Sequence, residues 1–315
     1  MRFVSVSIEA LRRSNGTRGE SGPIDLGRRP HSQARRASFE ERGEDRAETG
    51  MMRKRMRADD LPVLWQIKIS NYNEKARWAL DYKRIPHRRV DPMPGAHMLV
   101  ALALTRRTAT FPVLKIDGRA IGDSTRIIAE LERRVPDPPL YPADPTDRQR
   151  ALELEEYFDE NLGHDVRRFV FWHLMLEPEF MRARAAELTT PRQGRLLAAG
   201  LPVFAAMLRR RYSISDSSAA QSLLKIRAGM RLIEDTLEGS DHLVGDQFTV
   251  ADLTGAALLG PLLGPPELPY RDPEASLPAG LQKVVAELRG LPAGAWVGRT
   301  YERHRPASAE VGTEA

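Results

Sequence analysis

The chain has 315 residues, enough for two domains, and its 41% apolar and 29% charged content is that of a soluble globular protein. It contains no cysteine, which excludes disulfides, thiolate metal sites and a cysteine nucleophile; chemistry is left to hydroxyls, carboxylates, His, Lys or a bound ligand. The formal charge of +5 would suit a nucleic-acid binder, but residues 1–60 hold 14 Lys+Arg against 10 Asp+Glu, leaving 34 against 33 for the rest, so the body is nearly neutral.

Residues 1–60 are rich in Arg, Ser, Gly and Glu without a sustained period, the composition of a disordered basic tail. The acidic content does not fit an organelle transit peptide, and no apolar run suits secretion. The run Arg53-Lys54-Arg55-Met56-Arg57 is read as solvated in preference to a nucleic-acid or anionic-surface contact. Met51, Met52 and Met56 offer later start codons. No membrane span is expected: the longest apolar stretch, 256–263, is broken by Gly260 and Pro261 and falls far short of roughly 20 residues.

From Leu61 the pattern changes. Val63 to Ile67 is a short apolar run suited to a buried strand. Helical spacing follows, with Ala76, Ala79, Leu80 and Tyr82 on one side and Lys75, Arg77, Asp81 and Lys83 on the other. Pro86 ends that helix, and Arg88 to Val90 can form a second strand, parallel to the first. After a variable stretch, PVLKIDGRAI (112–121) reads as a hairpin around Asp117-Gly118, a type I′ turn dipeptide. Asp123-Ser124-Thr125 then caps a helix through Ile127, Ile128 and Leu131. The order βαβ then ββα makes a small α/β domain over 61–135.

VPDPPLYPADP (135–145) holds five prolines in eleven residues and reads as an ordered linker, assigned to 136–146. Beyond it strand signals almost vanish. Helical periodicity runs through 147–176, and further helices are expected near 181–211, 216–238, 249–260 and 277–289. Residues 147–305 are therefore expected to be all-helical, with 306–315 a disordered tail. In GDQFTVADL (245–253), Thr249 and Asp252 form a capping box, and Phe248 and Leu253 a hydrophobic staple.

This order of domains resembles the soluble glutathione transferases, whose first domain is thioredoxin-like, over about residues 61–305. Three local motifs carry the resemblance, and the spacing Gly245-x-x-x-Thr249-x-Ala251-Asp252 looks like the family's folding motif in its helical domain. In Ser70-Asn71-Tyr72-Asn73, Ser70 takes the place of the first residue of the thioredoxin C-x-x-C pair. The resemblance implies that Ser70 donates to the glutathione thiolate. Lowering a thiol pKa of about 8.5 by two units needs about 2.7 kcal/mol. A hydroxyl hydrogen bond to a charged sulfur supplies about 1.5–3 kcal/mol and a helix N-terminus roughly 0.3–1 more.

Thr110-Phe111-Pro112 matches the family's cis-proline, which implies that Phe111 and Pro112 hold the cysteinyl part of glutathione. Asp123-Ser124 matches the acidic-Ser pair that holds the γ-glutamyl end; alone, the dipeptide reads as plain N-capping. The implied function is conjugation of glutathione, a co-substrate, to an apolar electrophile by a cytoplasmic, detoxifying homodimer that needs no cofactor. The alternative is a non-catalytic binding or interaction protein of the same fold.

Two departures bear on this. Asn71 stands where Ser- and Cys-type members often carry Pro, and Gln66 lies near the place of a Tyr-type member's catalytic tyrosine, so Tyr72 is an alternative partner for the sulfur. The seven histidines give no metal spacing: His164 and His173, nine apart, point to opposite helix faces. Phe169, Phe171 and Trp172 are read as core or domain-interface residues, with a pocket-lining role as the minority reading. Neither metal nor nucleic-acid binding is expected.

Overall fold

The computed structural model describes residues 61–92, 97–188 and 191–312. The basic tail and the alternative start sites lie outside the described residues.

The first domain is built as β1 (Val63–Trp65), α1 (Asn71–Tyr82), β2 (Arg88–Val90), α2 (His97–Thr105), β3 (Val113–Ile116), β4 (Arg119–Gly122) and α3 (Ser124–Arg134). Its four-stranded sheet has the order β2-β1-β3-β4. β1 and β2 are parallel, with Leu64 opposite Arg89, while β1–β3 and β3–β4 are antiparallel. This is the thioredoxin-like arrangement. The hairpin turns at Asp117 (φ 46°) and Gly118 (φ 73°), the left-handed pair that a type I′ turn needs.

The second domain follows as α4 (Pro145–Phe158), a π-helical turn (Asp159–Gly163), α5 (His164–Leu176), α6 (Pro178–Leu188), α7 (Pro191–Tyr212), α8 (Asp216–Leu237), α9 (Val250–Leu263), α10 (Ala279–Arg289) and α11 (Pro292–His304). The continuous periodicity over 147–176 is in fact interrupted: the π turn inserts an extra residue and shifts the helical phase. The stretch 181–211 is likewise two helices, α6 and α7, with Pro191 opening the second. Helix α11, opened by Pro292, was not marked by the sequence pattern. None of the described helices is long and apolar enough to cross a membrane.

Helix α9 is almost wholly buried and packs on α1, α4 and α11, so the two domains share one core. Its start is the capping box read from sequence. Thr249 N and Thr249 Oγ1 both donate to Asp252 Oδ2, at 2.8 and 2.9 Å, and Asp252 Oδ1 also accepts from Leu243 N at 2.8 Å. Gly245, at φ 64°, turns the chain into this start in a conformation that glycine adopts without strain. Phe248 and Leu253 are both buried in the core.

Two expectations are corrected. Lys75, Arg77, Asp81 and Lys83 are not a solvated face of α1: each is at most 3% exposed. α1 is enclosed on both sides; Arg77 pairs with Glu74 inside the helix, and the other charges are met by partners from outside it. Lys75 Nζ reaches Asp159 Oδ2 at 2.6 Å and Glu155 Oε1 at 2.8 Å, and Lys83 Nζ pairs with Glu132 at 2.6 Å. Residues 306–312 are also not a loose tail. Val311 N donates to His87 O at 2.8 Å, Glu310 bridges His87 in parallel beside β2, and Ala309 N donates to Asp81 Oδ1 at 2.8 Å.

Candidate functional site

The chain leaving β1 turns at once into α1. Ser70 N donates to Ile67 O at 3.1 Å, and Ser70 has the extended backbone of an N-cap (φ −83°, ψ 130°). Its side chain makes no capping hydrogen bond, so the hydroxyl is left for another acceptor. The loop before it is fixed from below. Arg77 Nη1 donates to Gln66 Oε1 at 2.8 Å and Arg77 Nη2 to Lys68 O at 3.0 Å, while Ile67 N donates to Asn73 Oδ1 at 3.2 Å. Gln66 is thus a buried loop anchor.

Asn71 explains its own departure from proline. The buried amide donates through Nδ2 to Gly163 O at 2.9 Å and accepts Tyr72 N through Oδ1 at 3.0 Å. It therefore ties the start of α1 to the π turn of the second domain. Tyr72 points the same way: its hydroxyl donates to Asp159 O at 2.6 Å and stands 2.9 Å from His164 Nδ1. Burial, and then the charge of Asp159, push this phenol well above its usual pKa.

The Phe111–Pro112 peptide bond is cis, as is Asp137–Pro138, which the sequence did not mark. Phe111 and Pro112 are buried at the start of β3. Asp123 holds φ at 80°, a left-handed conformation uncommon outside glycine and often stored at functional sites. Its Oδ1 accepts from Arg126 N at 3.2 Å, so the plain capping role is realised as well. Ser124 is the first residue of α3 and is buried.

Two neighbouring cavities gather these residues. The more polar one is lined by Pro112, Asp123 and Ser124 together with Tyr72, His164 and Arg211. The more apolar one is lined by Ser70, by Val170, Phe171 and Leu174 of α5, and by Leu277 and Leu281. Thr110, Phe111, Arg167 and Tyr212 border both. Ser70 and the pair Asp123-Ser124 thus sit on adjoining cavities, while Gly245, Thr249 and Asp252 lie at the start of α9 in the second domain. Phe171 lines the apolar cavity, Phe169 is core, and Trp172 Nε1 donates to Asp216 Oδ1 at 3.0 Å.

Sequence reasoning missed Arg167, Arg211 and Tyr212. His164 and Arg167 are three apart and share a helix face, which is a usable signal. The unmarked π turn hid which face that is, and Arg211 and Tyr212 come from α7, far away in sequence. Among the described residues, no group of three or more His, Cys, Asp or Glu is placed to hold a metal.

Residues 64–139 match the family model "Glutathione S-transferase, N-terminal domain". FtsZ-localized protein A of Caulobacter vibrioides is 26% identical over 156 residues, which cover 50% of this chain and 56% of that protein. The match therefore spans little more than half the length of that relative. Among solved structures, a possible glutathione S-transferase from Rhodopseudomonas palustris is 18% identical with a TM-score of 0.52, covering 81% of this chain and 92% of the other. A glutathione S-transferase from Rhodospirillum rubrum F11 is 20% identical with a TM-score of 0.49, covering 78% and 96%. The chain thus carries a glutathione S-transferase N-terminal domain over residues 64–139 and shares the two-domain fold of the Rhodopseudomonas palustris protein.

Proposed function

We propose that this protein conjugates the thiolate of glutathione to an apolar electrophile, with Ser70 donating to the sulfur. The observation that carries this is the uncommitted Ser70 hydroxyl at a helix start, on a cavity adjoining the one lined by Pro112, Asp123 and Ser124. Phe111 and Pro112 would hold the cysteinyl backbone, and Asp123 and Ser124 the γ-glutamyl end. The sulfur attacks an electrophilic carbon in the apolar cavity, and juxtaposition of the two reactants supplies much of the rate. Tyr72 is the weaker candidate for the sulfur's partner, because its one proton is already given to Asp159 O.

A second function, binding without catalysis, is favoured by the similarity to FtsZ-localized protein A, whose name gives a location with FtsZ and no reaction. Calorimetric titration of glutathione into the wild type and Ser70→Ala, with conjugation to a chlorodinitrobenzene measured in parallel, separates the two. Glutathione binding with turnover that collapses in Ser70→Ala supports conjugation. Binding with no turnover in the wild type supports the second function, and no binding at all overturns the first.

A further inference from the structure

Arg167 stands at the join of the two cavities. Its guanidinium lies 4.4 Å over the ring of Tyr212 and 5.6 Å over that of Tyr72, so two aromatic faces fix its position. Arg211, on the polar cavity, is exposed and among the described residues makes only a 5.6 Å contact with the Tyr212 ring, and most of the other cations nearby are paired. Arg168 pairs with Asp165 at 2.7 Å, Arg77 with Glu74 at 2.8 Å, and Lys68 with Asp91 at 3.6 Å. Arg289 pairs with Glu274, and Arg271 is exposed at the rim. Arg167, among the described residues, makes no ion pair and no hydrogen bond, and its Nε is buried without a partner. A guanidinium carries five donors in a rigid fork and no acceptor, and it matches a carboxylate in two parallel hydrogen bonds.

We propose that Arg167 recognises a carboxylate carried by the electrophile, so that the substrates are apolar electrophiles bearing an acidic group. This rests on the conjugation proposed above. The apolar body would occupy the space beside Val170, Phe171 and Leu174, with its acidic group returning to the join where Arg167 waits. In the reaction the thiolate sulfur forms a bond to carbon, the bond from that carbon to its leaving group breaks, and the leaving group departs with the electron pair. Arg167 keeps its proton throughout and acts by holding the substrate's oxyanion.

The test uses two thioethers on the full chain, S-(4-carboxybenzyl)glutathione and S-benzylglutathione, titrated calorimetrically alongside glutathione itself. The wild type is expected to bind the carboxylated thioether about tenfold more tightly, the fold-change of one good charge-assisted pair. Arg167→Met abolishes that preference and Arg167→Lys keeps part of it. Equal affinities in the wild type, with glutathione binding intact, overturn the proposal alone. A loss in Arg167→Met that is equal for glutathione and both thioethers also overturns it, by assigning the carboxylate to glutathione. Absence of any glutathione binding removes the conjugation function, and this proposal with it.

Discussion

Arg305 Nε donates to Glu74 Oε1 at 2.7 Å, joining residues 231 apart in sequence in a salt bridge whose side chains are almost wholly buried. Glu74 in turn accepts from Arg77 Nε at 2.8 Å, and Arg77 holds the carbonyl of Lys68 and the side chain of Gln66. Arg305 Nη1 also reaches Asp81 Oδ2 at 2.9 Å, the carboxylate that Arg89 grips from β2. The end of the second domain thereby braces the loop that presents Ser70.

Removing one partner of a buried pair strands a charge and typically costs 3–5 kcal/mol; here Glu74 and Asp81 each keep a second arginine, so the lower end applies. Arg305→Ala is expected to lower the urea unfolding free energy by about 3 kcal/mol. A chain ending at His304 should lose at least as much, because the Val311 and Ala309 hydrogen bonds go too. An Arg305→Ala variant with unchanged urea midpoint would show that the brace carries no stability.

His87 provides a pH dependence. It is fully buried; burial pushes its pKa down to about 4, with the neighbouring Arg89 and Arg305 acting in the same direction. The neutral ring fits its partners, with Nδ1 donating to Ile85 O at 2.8 Å and Nε2 accepting from Arg89 Nε at 3.0 Å. Because the folded pKa lies below the unfolded value of about 6.5, the unfolded chain binds more protons between the two. Stability is therefore full above about pH 6.5 and falls as pH drops towards 4, by roughly 3 kcal/mol for this group alone. His87→Asn, which can still donate to Ile85 O, should flatten that slope in urea titrations from pH 7 to pH 4. The same slope in both proteins would assign the acid sensitivity to other groups.

Ser70 and Tyr72 separate by pH–rate profile. If Ser70 stabilises the thiolate, Ser70→Ala loses about 1.5–3 kcal/mol, or roughly 10- to 100-fold in kcat/KM at pH 7. The deficit should shrink towards pH 9, where the free thiol ionises unaided. Tyr72→Phe should leave the shape of the profile unchanged while costing stability through the lost bond to Asp159 O. A profile that moves in Tyr72→Phe and stays fixed in Ser70→Ala would exchange the two roles.

What was legible in the sequence was local. The Asp117-Gly118 turn, the Thr249–Asp252 capping box and the β1–α1–β2 unit each depend on a few neighbouring residues, so their signals survive in a linear reading. The burial of Lys75, Glu74 and Asp81 was not legible, because nothing within α1 says that Glu155 and Asp159 will arrive to pair with Lys75, or Arg305 with Glu74 and Asp81, from 80 to 231 residues away. Among the site residues, Ser70, Pro112, Asp123 and Ser124 lie on recognisable motifs of the first domain. Arg167 and Tyr212 come from helices whose facing depends on the π turn and on packing, which no simple 3.6-residue count reveals.

That π turn presses directly on the candidate site, and Gly163 is the residue that allows it. A Cβ at Gly163 would stand 2.5 Å from Tyr72 Oη, 2.7 Å from Tyr72 Cζ and 3.1 Å from Leu258 Cδ2. Tyr72 cannot simply swing aside, since its hydroxyl is held by Asp159 O and stands against His164, and Asn71 beside it is tied to the Gly163 carbonyl. Gly163→Ala must therefore push the start of α1 away from α5, which displaces Ser70 and opens the join between the cavities. Overpacking of this kind costs about 1–3 kcal/mol, so Gly163→Ala should unfold at lower urea and conjugate more slowly. Trimming the ring in Tyr72→Leu removes the two closest clashes, and the double variant should then be more stable than the two single losses add up to, by at least about 1 kcal/mol. Additivity within about 0.5 kcal/mol would mean that the glycine is tolerated there for backbone reasons and not for its contact with Tyr72.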